Sequence, residues 1–265
     1  MKRKFGKIAA GQAIILVASL AIWQLMGTFS GYVFFLVGTP TATWRELVRL
    51  IVYENLAYHF AVTGAEALLG LAIGTTIGSI AGLLLWYSDP LARMLRPFVL
   101  AAATLPIFAF APLMIVWFGV GFSMKVALAA LSTVFISFSQ ATQGTTLVSY
   151  EFVDVLKGMN ASKRQIFTKV VIPSSLDWVL SSMRLNVGFG LLGAFIGEFI
   201  ASDRGLGYLV LHAASLYNTP RAMAAAFGII LLALFFDLGA SLIVRNRHLL
   251  AQFLSVPRSI WFVRS

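Results

Sequence analysis

From Ile8 to Trp44 the chain carries no charged side chain. A bilayer core is crossed by about 20 mostly apolar residues in a helix. Backbone polar groups in lipid must be paired internally, so such a run has helix as its main option. The same pattern recurs along the chain, with further apolar runs near Ala57–Trp86, Pro97–Phe118, Val126–Gln143, Trp178–Ile200 and Arg221–Val244. With the first half of the opening run as span 1, these predict about six spans. Overall the chain is 59% hydrophobic and 11% charged, with a mean hydropathy of +0.88. Soluble domains average about 25% charged residues. The expected fold class is an all-α polytopic membrane helix bundle, forming a single transmembrane domain over residues 1–265.

The segments between spans carry their own signals. After span 1, the stretch with Thr28, Ser30, Gly31, Gly38, Thr39 and Pro40 reads as loop, and TPTATWRELVRLIV as a short amphipathic surface helix started by Thr41 or Thr43. The basic start MKRKFGK leads into an apolar run longer than a signal-peptide core and without a clear A-x-A cleavage site, so a retained first span is expected. Pro106 and Pro112 in span 3 predict a kink or a break. Gly70, Gly74, Gly78 and Gly82 form a ridge in span 2, and Gly193 and Gly197 a shorter one in span 5. Such ridges let helices approach closely. They serve packing, or a surface that moves or lines a path.

Charge placement sets the orientation. The net charge of +10 is concentrated at span ends, which points to lipid headgroups and water rather than nucleic acid. With the N-terminus inside, one side collects Lys2, Arg3, Lys4, Lys7, Arg93, Arg96, Lys157, Lys163, Arg164, Lys169, Arg184, Arg245, Arg247, Arg258 and Arg264, fifteen in all. Five remain outside: Arg45, Arg49, Lys125, Arg204 and Arg221. Lys and Arg favour the cytoplasmic side, so both termini and the segment 151–177 are expected there.

That segment, EFVDVLKGMNASKRQIFTKVVIPSSLD, is the polar exception between spans 4 and 5. Phe152, Val155, Leu156 and Met159, then Ile166, Phe167, Val170 and Val171, follow amphipathic helical spacing. Asn160 suits the left-handed end of a helix, and Ser162 with Gln165 has capping-box spacing. Pro173 is expected to stop the second helix near Ile172. A water-exposed helix–turn–helix follows, with an apolar stripe available to another protein.

Candidate sites within the spans are few. Glu198, Glu66 and Asp237 are ionisable groups in apolar runs, hence candidates for a pathway or gate, or structural partners of basic and amide groups near an interface. His59, His212 and His248 are scattered and there is no cysteine, so no metal site is expected. No Gly-x-x-x-x-Gly-Lys-Ser/Thr loop, Gly-x-Ser-x-Gly elbow or His-Glu-x-x-His motif occurs. No catalytic residue is assigned, and ATP hydrolysis is not expected on this chain.

The 151–177 segment resembles the cytoplasmic coupling motif of permease subunits of bacterial ABC importers: Glu-Ala-Ala, three residues, Gly, nine residues, Ile, one residue, Leu-Pro. Asp154, Val155 and Leu156 fall at Glu-Ala-Ala, Asn160 at Gly, Val170 at Ile, and Ile172–Pro173 at Leu-Pro. Only Pro173 is identical. LVGTPTATWREL, APLMIVWFGVG and MRLNVGFGLLGAFIGEFIASDRGLGYLV are similar to segments of the nitrate/sulfonate/taurine permeases, a group that includes thiamine-precursor importers. The resemblance implies a pathway of two permease copies, a homodimer being expected, with separate ATPase subunits that hold ATP and Mg. A solute-binding protein would deliver the cargo. Implied coupling residues are Asp154, Asn160, Ala161, Ser162, Arg164 and Pro173, with Arg164 otherwise an ordinary inside charge. Independently of the resemblance, Glu198 by its charge within a span and Pro106 and Pro112 by their expected kinks are the candidate pathway or gate residues. The implied cargo is a small sulfonate, taurine, nitrate or pyrimidine-precursor solute. The rival reading is a channel or secondary carrier that needs no ATP.

Overall fold

A computed structural model describes residues 2–245, and side chains from Gly11 onward. The basic residues Lys2, Arg3, Lys4, Lys7, Arg247, Arg258 and Arg264, and His248, lie outside the described side chains. The described residues are helical with no strands. Five helices are long and apolar enough to cross a membrane: Gly11–Phe29, Leu56–Tyr87, Phe122–Thr146, Lys163–Ile200 and Thr219–Arg245. A bent pair, Asp89–Ala103 and Ile107–Phe118, with 90° between its halves, makes a sixth where the two are counted as one span. The expected all-α bundle of about six spans is therefore observed. The chain divides into two compact units, and the division falls within two of the long helices.

The first unit is Met1–Val62 with Asp203–Ile230. It holds α1 (Lys2–Phe29), α2 (Gly31–Val37), α3 (Pro40–Tyr53), the start of α4 (Leu56–Leu84), α11 (Leu206–Ser215) and the first part of α12 (Thr219–Arg245). The stretch expected as loop contains α2. Ser30 caps it by accepting the Val33 N–H, and Gly38 ends it at φ +63°. The surface helix is present as α3, but Thr39 is its cap: the Thr39 hydroxyl accepts the Ala42 N–H at 3.2 Å, with Pro40 in the first turn. Pro at the first helical position sets the start there, ahead of Thr41 and Thr43. Arg221 pairs with Glu54 and Arg204 with Asp203. The Asp203 hydrogen bond, then that to Tyr58, raises the Arg204 pKa further above its ordinary value. His59 lies in the first turn of α4 and accepts the Gly205 N–H at 2.9 Å.

The second unit, Thr63–Ser202 with Leu231–Ser265, carries the features of interest. After α4 and a 3₁₀ turn, α5 (Asp89–Ala103) starts at Ser88, whose hydroxyl accepts the Leu91 N–H. The helix thus begins well before Pro97, which lies inside it. Ser88, Asp89 and Pro90 together form a stronger start signal than a lone proline. Arg93 and Arg96, expected in a loop, are consequently helical. Pro106 sits at the break before the 3₁₀ turn Ile107–Phe110, whereas Pro112 occupies the first turn of α6 (Ala111–Phe118), where a missing N–H costs little. Span 4 is α7 (Phe122–Thr146), starting four residues earlier than expected.

Both glycine ridges are packing seams. Cβ atoms at Gly70, Gly74, Gly78 and Gly82 would run into α7 at Ala129, Thr133, Val134 and Phe138, much of it backbone. Gly193 and Gly197 on α10 (Ile172–Ile200) meet α7 the same way, at Ser132 and Lys125. At Gly78 the obstacle is the Val134 carbonyl, with Ser137 Cβ 2.9 Å away. A carbonyl in a helix cannot rotate aside, so Gly78→Ala should cost about 1–3 kcal/mol of overpacking. This exceeds the gain of about 1 kcal/mol in helix propensity. Thermal unfolding in detergent is expected to show a lowered midpoint for Gly78→Ala and none for Gly188→Ala, whose Cβ meets nothing within 4 Å. Equal midpoints would remove the seam as a stabilising contact.

Candidate functional site

The turn between α8 (Tyr150–Gly158) and α9 (Lys163–Ile166) is closed on both sides. Asn160 adopts φ +56°, as expected of it. Its N–H donates to the Lys157 carbonyl at 2.9 Å, and the Ala161 N–H reaches back to Leu156 at 3.0 Å. Those two bonds form a Schellman motif, completed by apolar packing of Leu156 and Ala161 on one cluster. The Ser162 capping box is also present: its N–H donates to Gln165 Oε1 at 2.7 Å, and its hydroxyl accepts the Gln165 N–H at 3.3 Å. Four N–H and two C=O groups of the backbone that would otherwise need water are thus satisfied locally, and the turn has one defined shape. Asn160, Ser162 and Arg164 are exposed. Arg164 forms no ion pair among the described residues, while Asp154 pairs with Lys157 at 3.3 Å on the surface.

Two expectations for this segment are corrected. Pro173 does not end the helix: α9 passes through a π turn, Phe167–Val171, directly into α10. The Ile172 N–H donates five residues back, to Phe167. A proline ring clashes with the carbonyl four residues before it, and the wider π turn falls where that relief is needed. Span 5 therefore begins at Lys163, not Trp178, and Arg184 lies mid-helix. Nor is the apolar stripe left open. Val153, Ile166, Phe167, Val170 and Val171 are buried, packed with Leu83 and Trp86. Only Val155 and Met159 of the two expected runs remain exposed.

Of the three ionisable candidates, Glu66 and Glu198 are buried where α4, α7 and α10 pack, whereas Asp237 on α12 is not. Glu198 is 0% exposed and Glu66 1%, so neither is a hydrated interfacial group. Thr63 donates to Glu198 Oε1 at 2.6 Å. Lys125 Nζ donates to Glu66 Oε1 at 3.0 Å and to the Ser202 hydroxyl at 2.7 Å. Lys125 was expected in an outer loop; it is a buried residue of the first turn of α7. Unpaired burial of such charges would cost several kcal/mol each, and the Lys125–Glu66 pair avoids that cost. A second node lies at buried Asn186, which donates to Thr75 at 2.9 Å and to Ser137. Asp237 is half exposed and pairs with Arg184 at 3.5 Å. Near Pro106 and Pro112, Ala111 and Met114 pack with Met124, Leu128, Ile196 and Ile200, the last two flanking Glu198 on α10. Among the described residues no group of His, Asp and Glu has the makings of a metal site.

Thr63, Lys125 and Asn186 were missed from the sequence. Lys125 and Asn186 each interrupt an apolar run, SMKVALAA and RLNVGFG, and that interruption was the available signal. Thr63 had none, since a threonine in a span usually bonds its own helix.

Residues 74–248 match the family described as the binding-protein-dependent transport system inner membrane component. The chain belongs to this family. As a member it is an ABC importer permease, a multi-pass inner-membrane protein. Among its relatives is a probable ABC transporter permease protein of Haemophilus influenzae, 32% identical over 76% of this chain and 81% of the relative. The formylaminopyrimidine transport permease protein ThiX of Halalkalibacterium halodurans is 27% identical over 88% and 92%. The taurine transport system permease protein TauC of Escherichia coli is 28% identical over 77% and 69%. A chain of the inward-facing MetNI methionine ABC transporter shares the fold, with TM-score 0.64 and 17% identity over 72% of this chain and 95% of that one. The stretch matched to the permease family contains the α8–α9 turn, Lys125, Asn186 and Glu198; Thr63 and Glu66 precede it.

Proposed function

We propose that this permease acts as one domain along its length and carries a small solute inward, driven by ATP hydrolysed on separate ATPase subunits. ATP and Mg belong to those partners, and this chain needs no cofactor of its own. A solute-binding protein delivers the cargo, and a second copy of the chain completes the pathway. The observation that carries this reading is the α8–α9 turn. It is exposed, closed by caps on both sides and braced by a buried apolar cluster. It is also continuous with a 38-residue helix that reaches the Glu198 cluster. A force on the turn is therefore transmitted along a rigid element. In this reading Asn160, Ala161 and Ser162 shape the contact, and Asp154 and Arg164 offer charge to the ATPase. Pro173 shapes the π turn through which the motion passes. Glu198, with Pro106 at the break and Pro112 in the first turn of α6 near it, belongs to the gate. The Lys and Arg asymmetry supports a cytoplasmic place for the turn and both termini. The names of the relatives support a sulfonate, taurine or pyrimidine-precursor cargo, and nitrate rests on the sequence resemblance alone.

Vesicles holding the permease, an ATPase partner and the binding protein are expected to accumulate solute only with ATP. Mass spectrometry of ligand retained by the binding protein identifies that solute. Uptake that continues with the ATPase left out would sink the proposal in favour of a channel or secondary carrier.

A further inference from the structure

We propose that the groove between α5 and α7 binds an oxyanion group, a sulfonate or a phosphate, through Arg93 and Arg96. The groove is a cavity of about 350 Å³, within the size range of small-ligand sites. Its α5 wall is one helical row that includes Asp89, Arg93 and Arg96. Facing it is a row of α7 at helical spacing, Ser139, Thr142, Gln143 and Thr146, each with a hydrogen-bonding side chain. Thr142 and Thr146 give their hydroxyl protons to backbone carbonyls of Gly82 and Gln143. Ser139 and Gln143 have side-chain donors not committed to other groups among the described residues.

Electrostatics supplies the second part of the argument. Neither arginine forms an ion pair among the described residues, although Asp89 lies in the same lining. Like charges three residues apart on one helix face repel; Asp89 in the same lining offsets part of that repulsion without pairing with either arginine, and an anion in the cavity offsets the rest. Guanidinium groups match the geometry of phosphate and related oxyanions, forming two parallel bonds to each. Arginines that only anchor a span at the headgroups need no polar wall opposite. The α7 row provides one, with neutral donors and two positive charges for one bound anion.

Two sources carry this chemistry: a soluble anionic solute, or the headgroup of an anionic phospholipid. The inference rests on the groove and not on ATP-driven coupling. Binding is read without transport, so loss of the coupling reading leaves it standing. The full chain purified in a neutral detergent is titrated with methanesulfonate and with inorganic phosphate by calorimetry. In parallel, native mass spectrometry counts phosphatidylglycerol retained from discs of mixed phosphatidylglycerol and phosphatidylcholine. Arg93→Gln/Arg96→Gln is compared with Lys169→Gln, which removes an exposed charge elsewhere. The double variant is expected to weaken binding at least about tenfold, as for loss of a charge-assisted contact, while Lys169→Gln binds as the parent does. Loss of free-anion binding identifies a soluble ligand; loss confined to phosphatidylglycerol identifies a headgroup. If neither probe separates the double variant from the parent, or Lys169→Gln loses as much, the site does not exist.

Discussion

Asn160→Pro is expected to abolish ATP-driven uptake while leaving the protein in the membrane at its normal level. Asn160 sits at φ +56° and donates its N–H to Lys157. Proline holds φ near −65° and has no N–H, so the substitution removes both the left-handed residue and one of the two Schellman bonds. The Ala161 bond to Leu156 depends on the same geometry and is lost with it. The spans α7 and α10 contain none of these groups, so insertion is unaffected. Asn160→Gly is the matching control, because glycine takes the left-handed conformation without a Cβ penalty, and it should retain uptake. Solute accumulation in vesicles, normalised to permease content by immunoblot, reads the difference. Uptake by Asn160→Pro at the parent rate would show that the turn is not the contact with the ATPase.

Lys125→Met is expected to lower stability by about 3–5 kcal/mol, the cost of breaking a buried ion pair by removing one partner. Lys125 and Glu66 are 3% and 1% exposed, so water does little to relieve the carboxylate left behind. Methionine preserves most of the length and apolar contact of the lysine stem, which isolates the charge from the packing. Glu66→Gln combined with Lys125→Met should recover most of the loss, since replacing both members of a buried pair is often close to neutral. Thermal unfolding of the four proteins in detergent completes a double-mutant cycle. A single variant as stable as the parent, or a double variant no better than Lys125→Met, would remove the pair as a clamp between α4 and α7.

The legible and illegible parts of this protein divide by the distance over which the physics acts. The spans, the left-handed Asn160, the Ser162 capping box and the glycine ridges were all readable, because each depends on neighbours within a turn or two. Thr39 as the cap of α3 and Ser88 as the start of α5 were local as well, but competing local signals, Thr41 and Pro97, read more strongly in isolation. Pro173 was misjudged for a different reason. A proline inside a helix removes one hydrogen bond and clashes with the preceding turn, and here room is made by the π turn at Phe167–Val171, in a segment braced by Leu83 and Trp86 from elsewhere in the chain. The same cluster buries the apolar stripe that periodicity left open to a partner.

By itself the sequence determined that this chain is a helical membrane bundle with a polar, capped turn between its fourth and fifth spans. Hydropathy and capping are properties of contiguous residues, and the bilayer makes them decisive. Only the tertiary structure decided that Glu66 and Lys125 are partners and that Thr63 holds Glu198 from 135 residues away. It likewise placed Arg93 and Arg96 opposite a polar row of α7. These pairings arise because a buried charge or an open groove is resolved by whichever side chain the packing brings near, and no local pattern encodes which one that is.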